Sequence, residues 1–211
     1  MKKNSLPYFS FLAPLLVLCL FTNNYRAQTF PNPATLSTGQ GANGTNDPIW
    51  QVSNWFNVWP TGTMGLTYNP AFISNNCAPG QWIDPASLAP PLNNGNWISS
   101  AGMPCDGISF AYVAFRLTLN LPTDCNGNSL ATAGNYILSF DGYVDNILVD
   151  VLINGVSENI PGLPGGSYAA GGQVNIVLDG PWAPGINYVD FVVNNNLGGG
   201  GNLASMGDGD P

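Results

Sequence analysis

The chain has 211 residues, twelve of them acidic, four basic and none histidine. Only 8% of residues are charged, while 26 glycines and 18 prolines punctuate the chain. So few Lys, Glu and Arg, and so many turn formers, exclude a protein built of surface helices. An apolar fraction of 45%, with six tryptophans, eight tyrosines and ten phenylalanines, excludes a disordered one. The composition predicts one globular, acidic, all-β domain.

Residues 1–27 read as a signal peptide. Lys2 and Lys3 give a positive start, and the apolar run from Phe9 to Phe21 is short for a membrane span. Ala27 supplies a small residue for cleavage. The alternative is an N-terminal membrane anchor. Export predicts a secreted or cell-surface protein, with no membrane insertion of the mature chain. Cleavage there would remove Lys2, Lys3 and Arg26, leaving Arg116 against twelve acids and a net charge of −11. Nucleic acid is excluded as a partner and anionic lipid is disfavoured, because both need Lys and Arg.

Residues 28–46, rich in Pro, Gly, Thr and Asn, read as a lead-in segment, and a β-sandwich domain is predicted over 47–196. Its first strand run is Ile49–Val58, dense in aromatics, and its second is Leu66–Ile73. Short aromatic strands follow at Gln81–Ile83 and Asn96–Ser99. From Ser109 to Leu121, Ala111, Val113, Phe115, Leu117, Leu119 and Leu121 share one face by period two. Tyr136–Phe140 is the next strand. Ile147–Ile153 places Ile147, Val149, Val151 and Ile153 on one side and ends in Asn154-Gly155, a hairpin signal. Gln173–Leu178 and Ile186–Val193 complete eight or nine short strands. The pattern predicts a two-sheet antiparallel β-sandwich, a jelly roll, without βαβ rhythm. Residues 197–211 read as a Gly-rich tail or truncated linker.

The order of Asp47-Pro48-Ile49-Trp50-Gln51-Val52, Asn96-Trp97-Ile98, Phe115-Arg116-Leu117-Thr118-Leu119, Val144-Asp145-Asn146, Leu152-Ile153-Asn154-Gly155 and the stretch Tyr188 to Asn195 carries a resemblance. It resembles the galactose-binding-like jelly-roll domains of secreted bacterial surface proteins of the Bacteroidetes type, over about 150 residues. The resemblance implies a non-catalytic module beside adhesion or anchoring domains. Such domains close with an apolar strand after Val192-Val193-Asn194-Asn195; here only Leu203, Ala204 and Met206 follow.

The residues bound the chemistry. No histidine and, beyond residue 27, no lysine means no Ser-His-Asp or Cys-His hydrolysis, no Schiff base and no His-ligated zinc. Paired carboxylates could cleave a glycoside, but nothing singles out one with a raised pKa. A non-catalytic binding module, carbohydrate-binding or adhesive, is the first expectation; a structural spacer without a small ligand is the alternative. Trp82 and Trp182 lie in loop-like surroundings and are the candidate sugar-stacking rings, with Trp50 and Trp97 assigned to the core. Arg116, beside Tyr112 on its face, reads either as a ligand contact or as an ion pair with Asp150 or Asp190. Asp141, Asp145 and Asn146, read as one short turn, suit calcium or simply shape the turn. Jelly rolls of the resembling class often hold a structural calcium. Three cysteines remain after residue 27. Cys105 and Cys125 flank a strand whose ends would lie ~40 Å apart, so the expected disulfide is Cys77–Cys105 and Cys125 is the odd thiol.

Overall fold

A computed structural model describes residues 29–32, 35–59, 62–74, 95–100, 111–132, 134–145, 147–163 and 173–195, and the backbone of 202–204. The expected signal peptide lies outside the described residues. So do Trp82, Asn146, Cys77, Cys105 and the strand expected at 81–83. Among the described residues the structure is all-β, with ten strands: β1 Asn46–Ser53, β2 Tyr68–Ile73, β3 Ile98–Ser99, β4 Ala111–Leu121, β5 Leu138–Asp145, β6 Ile147–Ile153, β7 Val156–Ser157, β8 Val174–Leu178, β9 Gly185–Asn195 and β10 Asn202–Ala204. Hydrogen-bonded neighbours run in the order β7-β6-β9-β4-β1-β2-β3-β10-β5-β8, and each of these pairings is antiparallel.

That ladder is curled into two layers. β9 and β5 stand six places apart, which in a flat sheet would be ~29 Å at the usual strand spacing. Yet Phe140 of β5 meets Phe191 of β9 edge-on, with ring centroids 5.3 Å apart. The β5–β8 end therefore lies over the inner face of β4, β9 and β1. The period-two face of β4 lines the space between, each of its residues at most 1% exposed. Trp50, Val189, Phe191, Leu138, Phe140, Ile176 and Leu178 fill the rest. β4 and β9 pair without interruption from Ala111↔Asn195 to Leu121↔Gly185, which places successive side chains of both strands on common faces.

Three expectations change. β6 does not present Ile147 and Val149 to the core: its register against β9 shifts between Leu148 and Asp150, so Leu148, Val151 and Ile153 point inward. One extra residue in a strand reverses the alternation before it, which period-two counting cannot anticipate. Asp141–Asp145 is not a turn but the second half of β5, paired to β8 and β10. The stretch read as a tail contains β10, whose Leu203 pairs with Ile98 of β3 and Val144 of β5 and so links the β5–β8 pair to the rest of the ladder.

The lead-in segment is also part of the body. Leu36 is in the core, and its carbonyl accepts the Trp50 indole N–H at 2.8 Å. The buried Asp47 carboxylate accepts backbone N–H groups from Gly39 (2.5 Å), Ile49 (2.9 Å) and Trp50 (2.9 Å). Gly39 has φ +71°, and a Cβ there would collide with the Cβ of Asn96, so only glycine lets this segment lie beside Asn96.

Phe191→Ala removes the ring that touches both layers and is expected to cost about 3–5 kcal/mol, read as a lower urea midpoint at unchanged m. Val177→Ala, on edge strand β8 and 62% exposed, is expected to change stability by less than about 0.5 kcal/mol. Equal losses would contradict the curled packing.

Candidate functional site

The outer face of the large sheet carries the alternate residues of β4 and β9: Tyr112, Ala114 and Arg116 beside Tyr188, Asp190 and Val192. An antiparallel sheet usually leaves such a face to water. Here the connection between β1 and β2 crosses it. The backbones of Phe56 and Tyr112 exchange hydrogen bonds (3.0 and 2.8 Å), and the Ser53 hydroxyl accepts the Ala114 N–H at 2.9 Å. Beneath the loop, Ala114, Leu152 and Val192 form a second apolar cluster, with Phe56, Trp59, Leu66, Tyr68, Tyr112 and Val149 packed on it.

Arg116 sits at the centre of this face, 7% exposed, and Asp190 is fully buried opposite it. The pair is bidentate: Nε donates to Oδ1 at 2.7 Å and Nη2 to Oδ2 at 2.8 Å. Nη2 also points to the Thr63 carbonyl at 3.3 Å. The guanidinium carbon lies 3.8 Å from the Tyr68 ring centroid and 4.5 Å from that of Tyr188, so the cation is held between two aromatic faces. Burial alone would lower the Arg116 pKa, but the hydrogen bonds and charge of Asp190 outweigh it and hold it above its ordinary value. Burial, reinforced by the Asp190 charge, pushes the Tyr68 phenol well above its usual range.

The neighbouring hairpin holds Tyr188 in place. Asn154 (φ 53°) and Gly155 (φ 83°) form the turn that their sequence announces. The Asn154 side chain donates to Asn187 Oδ1 and accepts the Tyr188 N–H, each at 2.9 Å. A Cβ on Gly155 would lie 2.6 Å from Met64 Cγ, so glycine also admits the covering loop.

Further along the same face, where Phe56 pairs with Tyr112, stands an aromatic group. Phe56 and Tyr112 are 5.8 Å apart and inclined by 19°, Phe56 and Trp59 6.2 Å and 43°, Trp59 and Tyr112 6.4 Å and 33°. All three rings are half-buried, while Asn54, Asn57 and Val58 beside them are exposed.

Of the residues expected to form a site, Tyr112 and Arg116 share the outer face of β4 but stand four residues, ~13 Å, apart along it. The ion-pair reading of Arg116 holds, with Asp190 as partner. Trp182 does not present its face to a ligand: it is 7% exposed, packs edge-on against Tyr136 and donates its indole N–H to the Tyr136 carbonyl at 2.9 Å. Burial there pushes the Tyr136 phenol up to about 12. Asp141 and Asp145 are four residues apart in one extended strand, ~13 Å along it, too far to share a calcium ion whose ligands lie about 2.4 Å away. Asp141 accepts a hydrogen bond from Asn175 on β8. Among the described residues no group of three or more Cys, Asp or Glu converges to hold a metal. Cys125 is exposed, in the turn that Asp124 closes by accepting the Asn126 and Asn128 N–H groups at 2.8 Å each. Sequence reading missed Phe56 and Trp59 as surface residues, having placed Phe56 in the first strand; their signal was the aromatic density after Val52.

Compared with protein-family models, curated proteins and solved structures, the chain matches none.

Arg116→Met strands the buried Asp190 carboxylate and is expected to cost about 3–5 kcal/mol, whereas the double variant R116M/D190L recovers most of that loss in urea denaturation. Additive losses would contradict a coupled pair. Glu158, just after β7, has its pKa raised by burial and by Asp179 and Asp150. Its folded value lies above its unfolded one, so its charge opposes folding once pH rises through the carboxylate range. Glu158→Gln is expected to raise Tm by about 1–3 °C at pH 7 and to leave it unchanged near pH 3.5; a lower Tm at pH 7 would contradict the assignment.

Proposed function

We propose that this chain is a non-catalytic, jelly-roll β-sandwich module of a secreted or cell-surface protein, and that it holds a carbohydrate or another surface component. The observation that carries this reading is the state of Arg116. It is the chain's one cation after residue 27, and Asp190 and two tyrosine rings enclose it. A group so enclosed neither stabilises a reacting anion nor moves a proton. With no histidine in the chain, the remaining recognition chemistry is aromatic, amide and carboxylate, which suits hydroxyl-rich ligands. The likeness to galactose-binding-like domains supports the same reading.

A spacer role is the second reading, and the burial of Trp182 favours it. A glycan array probed with the purified protein, alongside adhesion to glycan-coated beads, separates the two. Saturable binding to one glycan class, with no turnover of it, is the expected result. Silence in both assays establishes the spacer, and measured turnover of any bound glycan overturns the non-catalytic reading.

A further inference from the structure

We propose that Phe56, Trp59 and Tyr112 form a stacking shelf for an uncharged glycan chain, on the outer face of the large sheet and not at the loops where Trp182 lies. The inference rests on the binding-module reading above and names its site. The three centroids make a triangle with sides of 5.8, 6.2 and 6.4 Å. None of the pairs is edge-to-face: Phe56 and Tyr112 are stacked, and Trp59 is tilted by 43° and 33° against them. The shelf rings are half-buried, whereas Trp50 and Trp97 are fully buried.

The shelf is held where it is. Paired backbone hydrogen bonds tie Phe56 to Tyr112, and Tyr112 belongs to the central strand β4. Two of the three rings therefore sit on backbone that is paired without a ligand, which lowers the ordering cost of binding. Exposed Asn54 and Asn57 flank Phe56 and offer amide donors and acceptors for hydroxyl groups.

Charge selects among occupants. The cation on this face is enclosed with Asp190, so nothing there attracts a carboxylated or sulfated ligand. From residue 28 onward the chain carries −11, which repels anionic ligands and also a second copy of itself. A neutral sugar ring, with an apolar C–H face and hydroxyls at its rim, meets no such opposition.

The test is calorimetric titration of the purified protein with cellohexaose, xylohexaose and mannohexaose, and with an oligogalacturonate as the charged comparison. One neutral hexasaccharide is expected to bind. Trp59→Ala or Tyr112→Ala should weaken it roughly tenfold or more, while Tyr112→Phe, which keeps the ring, should not. If Trp59→Ala melts below the assay temperature, Trp59→Leu keeps the apolar cover without the aromatic face and should show the same loss. Unchanged binding in the folded Trp59 and Tyr112 variants overturns the shelf and leaves the module reading intact. Tighter binding of the oligogalacturonate, or a dimer in sedimentation that Trp59→Ala dissolves, also overturns it. If none of the hexasaccharides binds, the shelf is overturned, and the array and bead assay decide the module reading separately.

Discussion

The structure depends on one buried charge pair. Arg116 and Asp190 face each other across β4 and β9, on the side of the sheet that an antiparallel fold ordinarily gives to solvent. Two charges taken out of water must be paired closely and hydrogen-bonded, or the desolvation cost exceeds the attraction. The bidentate contacts at 2.7 and 2.8 Å meet that demand, and the rings of Tyr68 and Tyr188 pack against the guanidinium in place of water. The β1–β2 connection is needed to complete the enclosure, because Thr63 supplies the carbonyl that Nη2 faces. An ion pair thus explains why a loop lies flat on a sheet. The half-exposed aromatic rings are a consequence of where that loop lies.

The large sheet is consequently covered on both faces around the ion pair, while Thr118 and Asn120 of β4 stay exposed further along the outer face. Its inner face packs against β5 and β8, and its outer face holds Ala114, Leu152 and Val192 beneath the loop. Burial on both sides makes β4 and β9 the most constrained elements of the fold. Around the ion pair it also leaves the chemistry of the outer face largely aromatic and amide in character, which is the physical basis of the binding role proposed above.

Much of this was legible from residue order. The alternation from Ala111 to Leu121 located the central strand and its inner face, and Asn154-Gly155 located the hairpin turn. The many acids and the cost of a lone buried charge made an ion pair one of the two readings of Arg116. What residue order concealed has specific causes. The bulge in β6 reverses alternation without any change in composition. Asp141 and Gly142 look like turn formers, yet their strand lies in the smaller layer, where Phe140 and Val144 meet the core. Trp182, flanked by prolines and glycine, is indeed outside the strands, but a loop can fold inward and satisfy its indole N–H on a carbonyl. β10 is three residues long and follows four glycines, so no periodicity announces it.

The central claim is that Arg116 is locked. Nitrogen-15 NMR of its guanidinium, assigned by loss of the signal in Arg116→Met, measures this directly. The account predicts separate Nη resonances, slow rotation about the Nε–Cζ bond and an Nε proton protected from exchange with water, all insensitive to added salt. Averaged Nη signals and an Nε proton exchanging as fast as that of a solvated arginine would contradict it.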